Sequence, residues 1–244
     1  MKQSIFTITE NKRIAPDVYS MRLCGDTSAV TAPGQFVNIR LDGLFLRRPI
    51  SVCDCVDGEL RLVYKTVGHG TEQMSRMRAG QTLDVLTGLG NGYDISSAGD
   101  APLLVGGGVG TPPLLLLAKC LRAQGKKVRA VLGFNTAREI ILKDDLEALG
   151  CGVSIATMDG SAGTKGFVTD ALPAEVSYIF ACGPEPMLRA VYRATACPAQ
   201  FSFEERMGCG FGACMGCSCR TVTGYKRICT DGPVLRREEI LWQI

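Results

Sequence analysis

Residues 209–219 read Cys209-Gly-Phe-Gly-Ala-Cys214-Met-Gly-Cys217-Ser-Cys219, and Cys229 follows with eleven residues between it and Cys217. Four residues separate Cys209 from Cys214, and two separate Cys214 from Cys217. With a further cysteine downstream, this is the plant-type spacing for a 2Fe-2S cluster. Iron takes thiolate donors, and three of them arriving from one tight loop must converge on a small inorganic core. Gly208, Gly210, Gly212 and Gly216 permit turns closed to other residues and let amide N–H groups approach the cluster sulfurs. A zinc knuckle and a disulfide-closed loop compete with this reading. Structural zinc usually takes paired Cys-x-x-Cys hooks, and only Cys214 and Cys217 form one here. The cluster is therefore preferred. The expected ligands are Cys209, Cys214, Cys217 and Cys229, with Cys219 free. Cys217 and Cys219 share a face of an extended chain but point along it. A Cys229 returned by a turn at Thr223-Gly-Tyr225 closes the fourth position more easily. The alternative is that Cys219 ligates and Cys229 only packs.

Around this loop the chain of 244 residues is 46% hydrophobic and 21% charged, the balance of a soluble globular protein with ample core. A formal net charge of +3, with no basic run interleaved with aromatics, argues against nucleic acid as a partner. The opening Met-Lys-Gln-Ser-Ile-Phe-Thr-Ile-Thr-Glu lacks the apolar run of a signal peptide. No apolar stretch is long enough to span a membrane. The twelve cysteines are thus expected in the cytoplasm, where thiols bind metal or pack. Cys24, Cys53, Cys55, Cys120, Cys151 and Cys197 are read as small hydrophobes.

The first part of the chain reads as short strands: Ser4–Thr9, then Asp17–Cys24 after turns at Asn11-Lys-Arg and Ala15-Pro-Asp, Gln35–Leu41, Pro49–Val56, Leu60–Lys65 and Gln81–Thr87. Gly70-Thr71 opens a short helix among them. Close spacing with turn signals predicts a small antiparallel barrel over residues 1–98. From about residue 99 strands alternate with helices, which predicts a parallel sheet covered on both faces. That Rossmann-like α/β domain is expected to run to residue 197, and 198–244 to form a cluster-binding segment.

Pro102-Leu-Leu-Val105 leads into Gly106-Gly107-Gly108-Val-Gly110-Thr111-Pro112-Pro113. A glycine run at the carboxyl end of a strand, opening a helix, is where an open parallel sheet holds a pyrophosphate on backbone amides. It can also be no more than a tight turn, and its last position is proline instead of the usual third glycine. Thr111 is expected to cap the helix and Pro112 to begin it. Arg47-Arg48-Pro49-Ile50-Ser51 is either a pair of solvated arginines before a strand or an arginine clamp on a phosphate, with Ser51 at a flavin edge. Gly70 and Thr71, at a helix start, offer a second amide-rich phosphate site. His69 reads as a loop residue, and Arg236 to Glu239 as a solvated helix end.

Taken in order, Arg-Pro-Ile-Ser, Gly-Thr, Gly-x-Gly-x-x-Pro, Cys182-Gly183-Pro184 and the terminal cysteine loop resemble the ferredoxin–NADP reductase superfamily over residues 1 to about 195. The tail, with Glu204-Glu-Arg-Met-Gly-Cys209 and Cys229-Thr-Asp-Gly-Pro233, is similar to one branch: the electron-transfer subunits of class 1B dihydroorotate dehydrogenase. That resemblance implies FAD on Arg48, Pro49, Ile50 and Ser51, with further contacts at Val63, Tyr64, Lys65, Gly70 and Thr71. It implies a nicotinamide nucleotide at Gly106–Pro113 and Cys182–Pro184. It also implies a catalytic partner that holds FMN and oxidises dihydroorotate, in a heterotetramer with two copies of each subunit. Electrons would then pass from FMN to cluster, FAD and NAD. Ile50 departs from relatives that carry an aromatic there to stack on the flavin. Phe134-Asn-Thr-Ala-Arg138 lacks a cluster of positive residues for a 2′-phosphate, which favours NAD over NADP. No base for dihydroorotate oxidation is evident in the chain. Related subunits of a sulfhydrogenase or a glutamate-synthase-like transhydrogenase, and a non-catalytic redox or metal-sensing module, are the competing functions.

Overall fold

The computed structural model describes residues 1–242. Six strands, β1 (Lys2–Ala15), β2 (Val18–Cys24), β3 (Phe36–Ile39), β4 (Arg48–Val56), β5 (Glu59–Lys65) and β6 (Thr82–Leu89), close into an antiparallel barrel in the order β1-β2-β5-β4-β3-β6. Alternation along the strands sends Phe6, Ile8, Met21, Val37, Leu62 and Val85 into one buried core. Helix α1 (His69–Ser75) lies beyond β5. The turn expected at Asn11-Lys-Arg does not form. Instead β1 runs through it, pairing Lys12 with Ser20 and Arg13 with Tyr19. Asn11 is retained in the strand because its side chain donates to the Met74 and Met77 carbonyls at 2.8 and 2.9 Å, tying the end of α1 to the barrel. The turn falls at Pro16-Asp17, where Asp17 takes φ 58°.

The second half builds a parallel sheet from β7 (Leu103–Gly107), β8 (Arg129–Phe134), β9 (Gly152–Thr157), β10 (Thr164–Lys165), β11 (Ile179–Cys182) and β12 (Ala199–Ser202), in the order β10-β9-β8-β7-β11-β12. Helices α2 (Pro112–Ala123), α3 (Lys143–Ala148) and α4 (Glu185–Ala194) form its crossovers. Leu103, Leu104 and Val105 are all buried because both sheet faces are covered. After β7 the chain moves outward through β8, β9 and β10, then returns to place β11 on the other side of β7. The crevice between β7 and β11 is therefore the topological switch point, where such sheets take ligands.

Residue 198 is not where the sheet ends. Strand β12 lies just past it, and the chain then leaves the sheet, forms the hairpin β13 (Ser218–Thr221) and β14 (Gly224–Arg227), and returns as β15 (Val234–Arg236), antiparallel beside β12. This excursion packs Cys217, Ile228 and Cys229 into the same core as Phe36 of the barrel and Phe201 of the sheet. Trp242 covers that core, its ring 5.3 Å from Phe203, 5.4 Å from Tyr192 and 5.8 Å from Phe201. Of Arg236 to Glu239, Arg236 and Glu238 are exposed as a solvated helix end would be, but Arg237 and Glu239 are half-buried on partners. Arg237 stacks 4.0 Å over the Tyr192 ring, and Glu239 pairs with Lys226 of the hairpin.

Barrel and sheet meet through Tyr93, which is buried edge-on to Phe180 at 5.5 Å and donates to the Ala181 carbonyl at 3.2 Å. Lys119 of α2 reaches Asp54 of β4 at 3.1 and 3.2 Å, and Arg61 of β5 pairs with Asp145 of α3. No described helix is long and apolar enough to cross a membrane.

Candidate functional site

The four expected cysteine ligands fall into two pairs. Cys209 and Cys214 lie within hydrogen-bonding reach of one another, as do Cys217 and Cys229. The inner pair is buried at 2% and 1% exposure, whereas Cys214 is exposed and Cys209 half-buried. Amides converge on the sulfurs: Ala213 and Cys214 on Cys209 Sγ at 3.2 and 3.4 Å, Cys209 on Cys214 Sγ at 3.4 Å, and Cys229 on Cys217 Sγ at 3.4 Å. Burial works against the Cys209 thiolate, yet the amides of Phe211, Cys214 and Ala213 outweigh it and bring its pKa down to about 6. Cys229 moves the other way, up to about 12, through burial and the adjacent Cys217. Two thiol pairs wrapped in amides fit a two-iron cluster.

Among the described residues, Cys219 makes no hydrogen bond to either pair, though it packs against the core that holds Cys217 and Cys229. It lines a cleft of about 820 Å³ between the start of α4 and β13, with Gly183, Arg189, Arg220 and Trp242. Both ends of the cluster loop are tied to the barrel. Asn38 of β3 donates through Nδ2 to the Cys209 carbonyl at 2.9 Å. Asn91, beyond β6, donates through its backbone amide to Gly232 O at 2.7 Å and through Nδ2 to Asp231 O at 3.0 Å.

Strand β4 begins at Arg48, and the structure separates the two arginines there. Arg47 grips Asp84 with two hydrogen bonds of 3.0 Å and also donates to the Asn38 and Asp84 carbonyls. Arg48 has no carboxylate partner among the described residues, and its side chain folds onto the Leu46 carbonyl. Gly70 lies directly beneath it, since a Cβ there would strike the Arg48 guanidinium. Arg48 is thus brought to the first turn of α1. Thr71 spends its hydroxyl locally, accepting from Val67 N at 2.9 Å and donating to Gly68 O at 3.0 Å. Ile50 and Ser51 are half-buried on β4. Val63 and Tyr64 part company on β5. Val63 faces the sheet domain, whereas Tyr64 points into the barrel, stacks on Tyr19 at 5.8 Å and donates to Asn11 at 3.1 Å. Lys65 is exposed.

At the switch point the two nucleotide motifs meet. Gly106 of β7 pairs in register with Cys182 of β11, and the Gly108–Gly110 turn packs against β5 of the barrel. A Cβ on Gly110 would come within 2.5 Å of the Cys182 carbonyl oxygen and Gly183 Cα. Both are main-chain atoms, so nothing soft can give. Gly110→Ala is expected to lower stability by about 1–3 kcal/mol, read as a shift in the denaturation midpoint. An unchanged midpoint would show that the two loops separate freely. Thr111 precedes α2 but does not cap it. Its backbone is already helical and its side chain makes no capping hydrogen bond. Its hydroxyl is buried without a partner, a donor left over beside Gly106. The Cys182 thiol is pushed up to about 12 by burial and stays protonated at neutral pH.

Asn38 and Asn91 carried no signal in sequence, since an asparagine in a strand or after one has many uses. The sequence profile of the iron-sulfur cluster binding domain of dihydroorotate dehydrogenase B matches residues 204–241. Over 256 aligned residues the chain is 43% identical to the dihydroorotate dehydrogenase B (NAD(+)) electron transfer subunit of Geobacillus sp. strain WCH70, covering 99% of each. It is 42% identical to the corresponding subunit of Fusobacterium nucleatum, over 98% of this chain and 99% of that one. Among solved structures, an NADH-dependent reduced ferredoxin-NADP oxidoreductase superposes with a TM-score of 0.89 at 34% identity, over 97% of this chain and 90% of that one. A ferredoxin NADP+ reductase from Neisseria gonorrhoeae, with a TM-score of 0.69 at 17% identity over 80% of this chain and 90% of that one, shares the fold. With full-length identity of this order behind the paired cysteines, the chain belongs to the family of electron transfer subunits of dihydroorotate dehydrogenase B (NAD(+)).

Proposed function

We propose that this chain passes electrons from an FMN-bearing catalytic partner, through a 2Fe-2S cluster and FAD, to NAD+. The observation that carries the reading is the adjacency of the parts. Cys217 and Cys229 pack in the core that Phe36 of β3 shares, and Cys209 is tied to Asn38 of the same strand. Strand β3 lies next to the strand that bears Arg48, and the glycine turn of the switch point packs on β5. FAD, when bound, supplies the conversion between a two-electron hydride and single electrons. Arg48 and the amides of the first turn of α1 would hold its phosphates, and Pro49, Ile50 and Ser51 would contact the flavin. Tyr64 points away, so Val63, Tyr64 and Lys65 contribute through their backbone and through the Lys65 side chain. Gly106–Pro112 and Cys182–Pro184 hold the pyrophosphate and nicotinamide of NAD. The Thr111 hydroxyl is a free hydrogen-bonding group for it, and the neutral Cys182 thiol adds no charge against the hydride. Cys209, Cys214, Cys217 and Cys229 hold the irons, and Cys219 stays outside.

The partner docks over the exposed cysteine pair, where Phe211 and Met215 are 45% and 56% exposed. Two copies of each subunit assemble, in the cytoplasm. The chain purified alone is expected to be yellow-brown, to hold one FAD and one cluster, and to oxidise NADH with an artificial acceptor. Dihydroorotate-dependent NAD+ reduction should arise only when the partner is added. Dihydroorotate turnover by this chain alone would end the division of labour. The likeness to the NADH-dependent reduced ferredoxin-NADP oxidoreductase supports a second reading, a subunit of such a complex. Failure of the FMN partner to couple, with a pyridine-nucleotide partner coupling instead, would select it.

A further inference from the structure

The inner cysteines are held by the core they are buried in, but the outer pair sits on an exposed arm. Among the described residues, one hydrogen bond joins residues 204–216 to the barrel: Asn38 Nδ2 to the Cys209 carbonyl, 2.9 Å. Asn38 is 1% exposed. Its Oδ1 is buried with no donor, so the amide carries an unsatisfied atom that an apolar side chain would not. What the residue supplies is therefore its nitrogen. Gly210 accepts this close approach, with φ +77° and no side chain to meet Nδ2. On the other flank, Asn38 pairs in register with Pro49 on β4, with Ile39 opposite Arg48 and Val37 opposite Ile50. Its own carbonyl accepts from Arg47 at 3.3 Å. A single residue thus belongs to the strand beside the flavin motif and holds the first cysteine of the cluster loop.

We propose that Asn38 is a positioning residue for electron transfer between flavin and cluster. It fixes the Cys209–Cys214 arm against the flavin-bearing face of the barrel, and without it the arm fluctuates and the transfer distance widens. This rests on the functional reading above. One NADH yields NAD+, a proton and two electrons, and the electrons reach the cluster singly. The rate at which NADH reduces the cluster therefore reports the gap.

The test uses the holoprotein and two variants. Asn38→Leu keeps the approximate volume but removes the donor. Asn38→His keeps a donor at similar reach. Iron and FAD content, the electron paramagnetic resonance of the reduced cluster, hydrogen exchange at residues 209–214, and stopped-flow reduction of the cluster by NADH are measured. Asn38→Leu is expected to hold both cofactors, exchange faster at the loop amides, and reduce its cluster at least about tenfold more slowly. Asn38→His is expected to stay within about threefold of the parent rate. Unchanged exchange and transfer in Asn38→Leu overturn the role. If Asn38→Leu does not retain its cofactors, Asn38→His decides, since tenfold slowing with the donor kept also overturns it. A parent protein without flavin and cluster absorbance would instead defeat the functional reading itself.

Discussion

Cys229→Ser should abolish the cluster, and with it all electron flow from the partner, while Cys219→Ser leaves both intact. Cys229 lies at 1% exposure beside Cys217 in an apolar core. A serine there cannot supply a thiolate, and its hydroxyl loses hydration at a cost of about 1–3 kcal/mol. The resonance signal of the reduced cluster and the bound iron should vanish together, and partner-coupled NAD+ reduction should fall to background. NADH oxidation by an artificial acceptor should survive, because the flavin strand and the glycine turn are built from other segments. Cys219 lines the cleft by α4 and touches neither thiol pair through a hydrogen bond. A normal signal in Cys229→Ser together with cluster loss in Cys219→Ser would transfer the fourth position to Cys219.

The neighbouring arginines should fail in opposite ways. Arg48→Ala is expected to weaken FAD binding by about ten- to a hundredfold, the loss of one charge-assisted phosphate contact of about 1.5–3 kcal/mol. Folding should hardly change, because Arg48 makes no ion pair among the described residues. Arg47→Ala breaks the two-pronged grip on Asp84 between β4 and β6 and strips donors from two strand carbonyls. It should lower the denaturation midpoint and affect FAD mainly through that loss. Titration of the apoprotein with FAD, beside thermal unfolding, separates the two effects. Equal FAD affinity in Arg48→Ala and the parent would reduce Arg48 to a surface charge.

The cysteine spacing, the glycine run and the barrel strands were legible because each is a local device. A ligand set, a strand-to-helix turn and a two-residue alternation all leave a mark within a dozen or so residues of sequence. The barrel closed and the parallel sheet formed as that pattern implied. What stayed hidden depends on contacts between distant segments. The Asn11-Lys-Arg stretch looks like a turn until the backbone of α1 is there to receive the Asn11 side chain. Strands β12 and β15 are short, and their pairing spans the whole cysteine segment, so periodicity could not join them. Arg237 and Glu239 read as solvated because Tyr192 and Lys226, their partners, come from elsewhere. Asn38 is 171 positions away from Cys209, beyond any local pattern.

The excursion from β12 to β15 is closed at its base by its own sheet. Neighbouring strands of one sheet anchor both ends of it, so backbone hydrogen bonds between β12 and β15 fix where the cysteine segment leaves and returns. Cys217 and Cys229 then lie beneath the surface, while Cys214 stands at it. The expected thiols are thus graded in depth, two fixed in the core that the sheet closes over and two at its rim.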